Sequence, residues 1–85
     1  MLNTLSAGDS VITLRLIPDG MIQHWKFKNE CRHQGASFAA GAVFKVIEVG
    51  KIPGNMWVKL AIPGSSPVRT IKVAGGEFAH NFRAG

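Results

Sequence analysis

A cluster of basic side chains between residues 24 and 33 is the part of the sequence with the clearest potential for chemistry. Its members are His24, Lys26, Lys28, Arg32 and His33. The first three alternate along the chain, so a β-strand would present them on one face. Phosphate groups are bound by basic side chains that repeat along a surface and reach outward. The cluster therefore predicts contact with an anionic partner. The alternative is a solvated face beside a Trp/Phe core.

A second group consists of Trp57 and Lys59, which alternate with the apolar residues Val58 and Leu60. This alternation predicts that Trp57 and Lys59 face outward. An exposed Trp can stack on a base or an Arg, or fill a partner's pocket. The alternative is that Trp57 seals the fold or packs on a loop, since Trp is highly buried on average. The predicted binding residues are His24, Lys26, Lys28, Arg32, Trp57 and Lys59.

The sequence offers no group of residues suited to catalysis or to metal binding. Structural zinc usually takes four ligands at recognisable spacings, and Cys31 with His33 does not supply them. A Cys–His nucleophile pair would also need an orienting Asn or Asp. The acidic residues are scattered, and the glycines at 50–54 and 75–76 do not match phosphate-binding loops. We therefore predict that the protein is not an enzyme and has no catalytic residue, metal or cofactor.

Composition sets further bounds on the class of protein. A chain of 85 residues suffices for one domain, so residues 1–85 are predicted to form a single small β domain. Ten Lys and Arg against five Asp and Glu give a net charge of +5, which favours nucleic acid or an acidic protein surface as the partner. The lone cysteine, the lack of a leader-like pattern at 1–10 and the short apolar runs predict a cytoplasmic protein without membrane contact.

Short β-branched and apolar segments separated by Gly/Pro turns dominate the chain. Strands are predicted at 11–17, 22–28, 43–49, 56–62 and 68–73, and 77–82 is either a last strand or a single 3₁₀ turn. The first two strands should pair as a hairpin across Pro18, Asp19 and Gly20. The irregular stretch 29–41 should pack through Phe38. The pattern predicts an all-β fold, a small barrel or sandwich of five to six short antiparallel strands with little helix.

Alternation also predicts which side chains face the core. Ile12, Leu14 and Leu16 share one face of the first strand. In the strand that starts at residue 43, Val46 faces the core and Val49 faces the opposite side. That strand is therefore predicted to be apolar on both faces.

The segment from Phe38 to Phe82 resembles an SH3-like barrel in its pattern. An apolar strand follows a glycine, a WVKL-type strand and a third strand come next, and a Phe-containing segment ends the pattern. The resemblance covers about half of the chain and rests on pattern without a signature motif. It implies the fold only, because SH3-like barrels host many unrelated functions.

Two functions from different classes fit these features. The first is a non-catalytic binding module that contacts an anionic partner such as nucleic acid through the basic strand face. The alternative is a protein–protein interaction module, an inhibitor or adaptor that could act as a homo-oligomer. The thin core of so short a chain and the strand that is apolar on both faces motivate the oligomer.

Overall fold

A five-stranded antiparallel sheet is the framework of the protein in a computed structural model that describes residues 2–85. The strands are β1 (Ser10–Thr13), β2 (Val43–Ile52), β3 (Asn55–Ala61), β4 (Thr70–Ala74) and β5 (Phe82–Ala84), in the sheet order β4-β3-β2-β1-β5. Two short helices, α1 (Asp19–Ile22) and α2 (Gly75–Asn81), and 3₁₀ turns at Leu2–Thr4 and Lys28–Glu30 complete the chain. The predicted all-β class with little helix is confirmed.

The two ends of the sheet are β4 and β5, which do not pair with each other within residues 2–85. A closed SH3-like barrel therefore stays a prediction. None of the helices in this part of the chain has the length and apolar character needed to cross a bilayer.

The central hairpin, β2 with β3, forms where the sequence predicts it. Ile52 pairs with Asn55 across a tight turn that contains Pro53 and Gly54. Gly54 has φ +82°, which suits the third position of a type II turn, and Pro presets the φ of the second position. On β3, the inward residues Val58 and Leu60 are fully buried, as alternation predicts.

A β-bulge in β2 changes the predicted facing of its second half. The register with β3 shifts between Val46 and Glu48, which leaves Ile47 as the extra residue. Such a bulge moves the following side chains to the opposite face. Val49 consequently packs partly buried against the core, whereas alternation predicted it on the other side. Ile47 is exposed.

The hairpin predicted for residues 11–17 and 22–28 is wrong. After β1 the chain enters α1 rather than a return strand. Pro18 directly precedes α1, and its carbonyl oxygen accepts a hydrogen bond from the Met21 N–H at 3.0 Å. The fixed φ of Pro and an acidic side chain in the first turn favour the start of a helix. Pro18 and Asp19 therefore begin a helix here instead of closing a hairpin.

The basic cluster accordingly does not lie on a strand face. Residues 23–32, called the turn segment below, run through consecutive turns and the 3₁₀ turn at Lys28–Glu30. Ile22 and Trp25 are buried, and the Trp25 N–H donates to the Ile22 oxygen at 3.0 Å. A spacing of three brings side chains together on a helical turn, not on a strand. The side chains predicted to share that face, all exposed, are His24, Lys26 and Lys28.

The predicted faces of β1 are reversed. Val11 and Thr13 are buried, whereas Leu14 and Leu16 are exposed. Val11 lies opposite Phe44 in the β1–β2 pair, which fixes the register. A shift of one residue exchanges the two faces of a strand, so this one contact decides which side chains enter the core.

Aromatic side chains from the middle and the C-terminal part of the chain pack in the core. Phe78 on α2 and Phe82 at the start of β5 stack with ring centroids 5.3 Å apart. The segment 77–82 thus supplies two apolar anchors through a helix followed by a short strand. Phe38 in the irregular connection is buried edge-on against Phe44 at 5.0 Å, as its predicted packing role requires.

Candidate functional site

The outer side of β3 and β4 carries the aromatic and basic residues that alternation places there. Trp57 and Lys59 are half-buried on the face opposite Val58 and Leu60. Lys59 lies opposite Lys72 of β4. The outward direction predicted for Trp57 and Lys59 therefore agrees with the strand register.

Two aromatic rings contact the same ammonium group on this side of the sheet. Lys72 Nζ lies 4.2 Å from the Trp57 ring centroid and 4.4 Å from that of Phe27. Both distances are within the range of cation–π attraction. The same ammonium lies 3.4 Å from a carboxylate oxygen of Glu30. Phe27, Trp57, Lys59 and Lys72 are called the aromatic-basic face below.

Gly50 on β2 makes room for the indole of this face. Gly50 and Trp57 are register partners in the β2–β3 pair. A Cβ added at Gly50 would overlap the Trp57 indole. The indole therefore covers the Gly50 backbone, and only glycine at this position leaves it in place.

The turn segment lies along the free edge of β4. The Arg32 N–H donates to the Thr70 oxygen at 2.9 Å, and Cys31 Sγ lies 3.5 Å from the Lys72 oxygen. These contacts bring the exposed Arg32, and the 3₁₀ turn that begins with Lys28, next to the aromatic-basic face.

The other two predicted binding residues of the turn segment lie further from β4. Lys26 Nζ is 5.4 Å from the Phe27 ring centroid, so Lys26 borders the aromatic-basic face. His24 is exposed in the turn after α1, where its backbone N–H donates to the Met21 oxygen at 3.1 Å. The structure thus places Trp57 and Lys59 on one side of the sheet, with Lys26 at the border. The backbone of Lys28 and Arg32 lies along β4, and the Arg32 guanidinium donates to the Asn29 oxygen at 2.7 Å.

A groove separates the turn segment from α2. It has a volume of about 540 Å³, and Met21, Trp25 and His80 are among its lining residues. A smaller depression of about 330 Å³ extends towards Asn55. Lys26 lines both cavities, so they meet at its side chain.

Glu77 holds the walls of this groove together. One carboxylate oxygen accepts the Lys26 N–H at 3.0 Å, and the other accepts the Ala74 N–H at 3.2 Å. Lys26 Nζ donates to Asn55 Oδ1 at 3.0 Å. In the described part of the chain Glu30 pairs with Lys72, and Asp19 is hydrogen-bonded to the His33 imidazole, so no carboxylate there pairs with the Lys26 ammonium.

The remaining candidates for chemistry are buried in structural contacts. His33, predicted as part of the basic cluster, is buried with Nε2 bonded to Asp19 Oδ1 at 2.5 Å. The hydrogen bonds from His33 and then Gln23 hold the pKa of Asp19 below its ordinary value. Burial raises the pKa of the Cys31 thiol, which opposes formation of a reactive thiolate. Among residues 2–85, no group of three or more His, Cys, Asp or Glu side chains is arranged to hold a metal ion.

Two residues of these sites escaped sequence reasoning. Phe27 was not among the predicted binding residues. It is half-buried against Lys72, and only the long-range placement of the turn segment reveals this contact. Glu77 stands three residues after Ala74 and accepts its N–H, which is one half of a capping box. Because Ala74 has no side chain that could complete the box, the sequence does not carry the full local signal.

Comparison of the chain with protein-family models, with curated proteins and with solved structures finds no match. Inferences about function therefore depend on the geometry of these two surfaces.

Proposed function

We propose that this chain is a non-catalytic binding module that contacts an anionic partner, namely nucleic acid, through the aromatic-basic face and the neighbouring turn segment. The observation that carries the proposal is the contact of Lys72 with both Trp57 and Phe27, with Lys59 beside it on an outward sheet face. Aromatic rings combined with basic groups are how proteins bind unpaired nucleotides, through base stacking and phosphate contacts. In this proposal the basic surface is the outer face of β3 and β4, whereas the sequence analysis expected it on a strand at residues 22–28.

The distribution of charge supports the same partner. Lys28 and Arg32 are exposed beside this face, and Lys59 adds a further positive charge. Glu30 already contacts Lys72, and Glu48 lies opposite Lys59. Since basic groups outnumber these two carboxylates, and the whole chain carries +5, the face should attract phosphates.

Fluorescence anisotropy with single- and double-stranded DNA and RNA oligomers at a series of salt concentrations tests this proposal. The logarithm of the affinity should fall linearly with the logarithm of salt concentration, because bound phosphates release counterions. Trp57→Ala should weaken binding to single strands by about tenfold, as expected if a base displaces the Lys72 ammonium from the indole ring and stacks in its place.

Charge-reversal variants distinguish binding through the aromatic-basic face from attraction of nucleic acid to the net positive charge of the protein. Lys59→Glu should weaken binding strongly, whereas Arg83→Glu, on the opposite edge strand β5, makes the same change in net charge away from the face. Equal effects of the two variants, or no binding of any oligomer at low salt, would contradict the proposal.

A protein-interaction module that self-associates is the second candidate. Its support is an apolar stretch on the outer side of β1 and β2, where Val43 lies opposite Ile12 and is 49% exposed. Leu14 and Leu16, which follow β1, are also exposed. Contiguous apolar surface of this kind is typical of interfaces. If light scattering at micromolar protein concentration gives the mass of a monomer, the hypothesis of a homo-oligomer is excluded.

A further inference from the structure

We infer that the groove between the turn segment and α2 binds an extended peptide of a partner protein, one that carries an apolar side chain next to an acidic one. The groove adjoins the proposed nucleic-acid surface at Lys26, but the inference does not rest on the proposed contact with nucleic acid. Three features carry the inference: the lining of the groove, its unpaired cation and the rigidity of its walls.

The larger cavity is shaped for an apolar group. Trp25 is buried at its base, and the half-buried Met21 and Ala74 contribute to its walls. Its volume of about 540 Å³ is within the usual range for ligand sites, which are mostly apolar with a few placed polar groups. An apolar side chain of a few carbon atoms would remove this surface from water.

The junction of the two cavities carries the charge that selects an acidic neighbour. The Lys26 ammonium donates to the neutral amide of Asn55 and lies 5.4 Å from the Phe27 ring centroid, and within residues 2–85 no carboxylate pairs with it. The Glu77 carboxylate also lines the larger cavity, but each of its oxygens already accepts a backbone N–H. Lys26 is therefore the cation at the junction, and a carboxylate on the ligand complements it. The buried Asn81 Oδ1, which also lines the larger cavity and has no partner among residues 2–85, can accept a hydrogen bond from a ligand N–H.

The walls of the groove are held in place before any ligand arrives. Glu77 connects the backbone of the turn segment at Lys26 with the start of α2 at Ala74. A preformed site costs less conformational entropy on binding than one that must be ordered.

A peptide fits these features better than the other possible occupants. A nucleic acid needs an exposed ring for stacking, and Trp25 is only 5% exposed. A second copy of this chain could offer the exposed pair Ile47 and Glu48, but both lie within the paired strand β2 rather than on a free extended segment. An unpaired, extended segment of another protein can place an apolar side chain in the larger cavity and a carboxylate beside Lys26.

The test uses a phage library of random dodecapeptides selected on the wild-type protein, followed by anisotropy titrations with the enriched peptides in fluorescein-labelled form. Enriched sequences should pair an apolar residue with Asp or Glu. Lys26→Glu should weaken their binding by tenfold or more, and selection on that variant should exchange the acidic residue for Lys or Arg. Lys28→Glu is the matched control, since Lys28 is equally exposed but does not line the groove, and it should leave binding within about twofold.

Further variants separate this site from the aromatic-basic face. Met21→Ala should weaken binding of the peptide, whereas Trp57→Ala should leave peptide binding unchanged although it weakens binding to single-stranded nucleic acid. The inference is overturned if no peptide is enriched, if the enriched peptides lack an acidic residue, or if Lys26→Glu and Lys28→Glu act alike. Concentration-dependent self-association that Lys26→Glu abolishes would assign the groove to a second copy of this chain and would also overturn it.

Discussion

At the scale of single residues, Gly50 determines where the indole of Trp57 lies. Because a Cβ at Gly50 would overlap the indole, Gly50→Ala should displace Trp57 from the sheet. Overpacking of this kind typically costs about 1–3 kcal/mol, so the free energy of unfolding should fall by that amount. Urea unfolding followed by tryptophan fluorescence measures both effects.

Gly20→Ala is the control for this prediction. A Cβ at Gly20 meets no atom within 4 Å, and Gly20 lies in α1, where Ala is the better helix former. Its unfolding free energy should be unchanged or slightly higher. If Gly50→Ala leaves both stability and the fluorescence spectrum as in the wild type, the contact between Gly50 and Trp57 is not a constraint on the face.

The hydrogen bond between Asp19 and His33 makes part of the stability dependent on pH. The pKa of Asp19 lies below its ordinary value of 3.8, chiefly because of that hydrogen bond. The ionised carboxylate therefore stabilises the fold fully above pH 3.8, and this contribution is lost as the pH falls through the lowered pKa. Asp19→Asn should be less stable at neutral pH and should lose less stability than the wild type on acidification.

Urea unfolding at a series of pH values from neutral to about pH 2 checks this prediction. Glu48→Gln, which removes one exposed carboxylate on β2, controls for the change in net charge. Parallel pH dependences for Asp19→Asn and the wild type would show that the hydrogen bond to His33 does not contribute.

At the scale of elements, the contrast between two predicted hairpins shows what local pattern can decide. The β2–β3 hairpin was predictable because its alternating residues flank Pro53 and Gly54, a turn with one favoured geometry. The segment 22–28 carries both a strand period and a helical one, since Trp25 is two residues from Phe27 and three from Ile22. Short segments of this kind are ambiguous by periodicity alone.

Long-range contacts decide that ambiguity, and Glu77 supplies one of them. Glu77→Ala would leave the N–H groups of Lys26 and Ala74 without their acceptor. The bond at Lys26 is exposed to water and the bond at Ala74 is part-buried, so the free energy of unfolding should fall by about 1 kcal/mol, the typical net contribution of a hydrogen bond. Hydrogen exchange at the Lys26 amide should also become faster. The exposed Glu48, changed to Ala in a control variant, should give effects close to zero.

That prediction also tests whether the turn segment is held as a unit. If Glu77→Ala and Glu48→Ala have the same unfolding free energy and the same exchange rate at Lys26, the turn segment is fixed by its apolar contacts alone. Glu77 would then not contribute to the position of the groove walls.

At the scale of the whole molecule, the sequence predicted the half of the candidate site that depends on one strand. Alternation along β3 was sufficient to direct Trp57 and Lys59 outward. The contact of Phe27 with Lys72 was beyond such reasoning, because it requires residues far apart in sequence to meet at the edge of β4. The same holds for the groove, whose walls come from the turn segment and from α2.

The bulge in β2 and the register of β1 set a similar limit. The extra residue Ile47 exchanges the inner and outer faces of the second half of β2 relative to simple alternation. The pairing of Val11 with Phe44 likewise sets which face of β1 points inward. Neither has a signature in composition or spacing. The all-β class was nevertheless predictable, since it depends on the many short segments and turns rather than on any one register.

The most direct test of the central claim is an NMR titration of the ¹⁵N-labelled protein with a single-stranded oligonucleotide at low salt. The largest shift changes should occur at the indole N–H of Trp57 and at the amides of Lys59, Lys72 and Arg32, while the amides of β5 should stay unchanged. Changes concentrated on β1 and β5, or no change at any oligonucleotide concentration, would contradict the proposal that the aromatic-basic face binds nucleic acid.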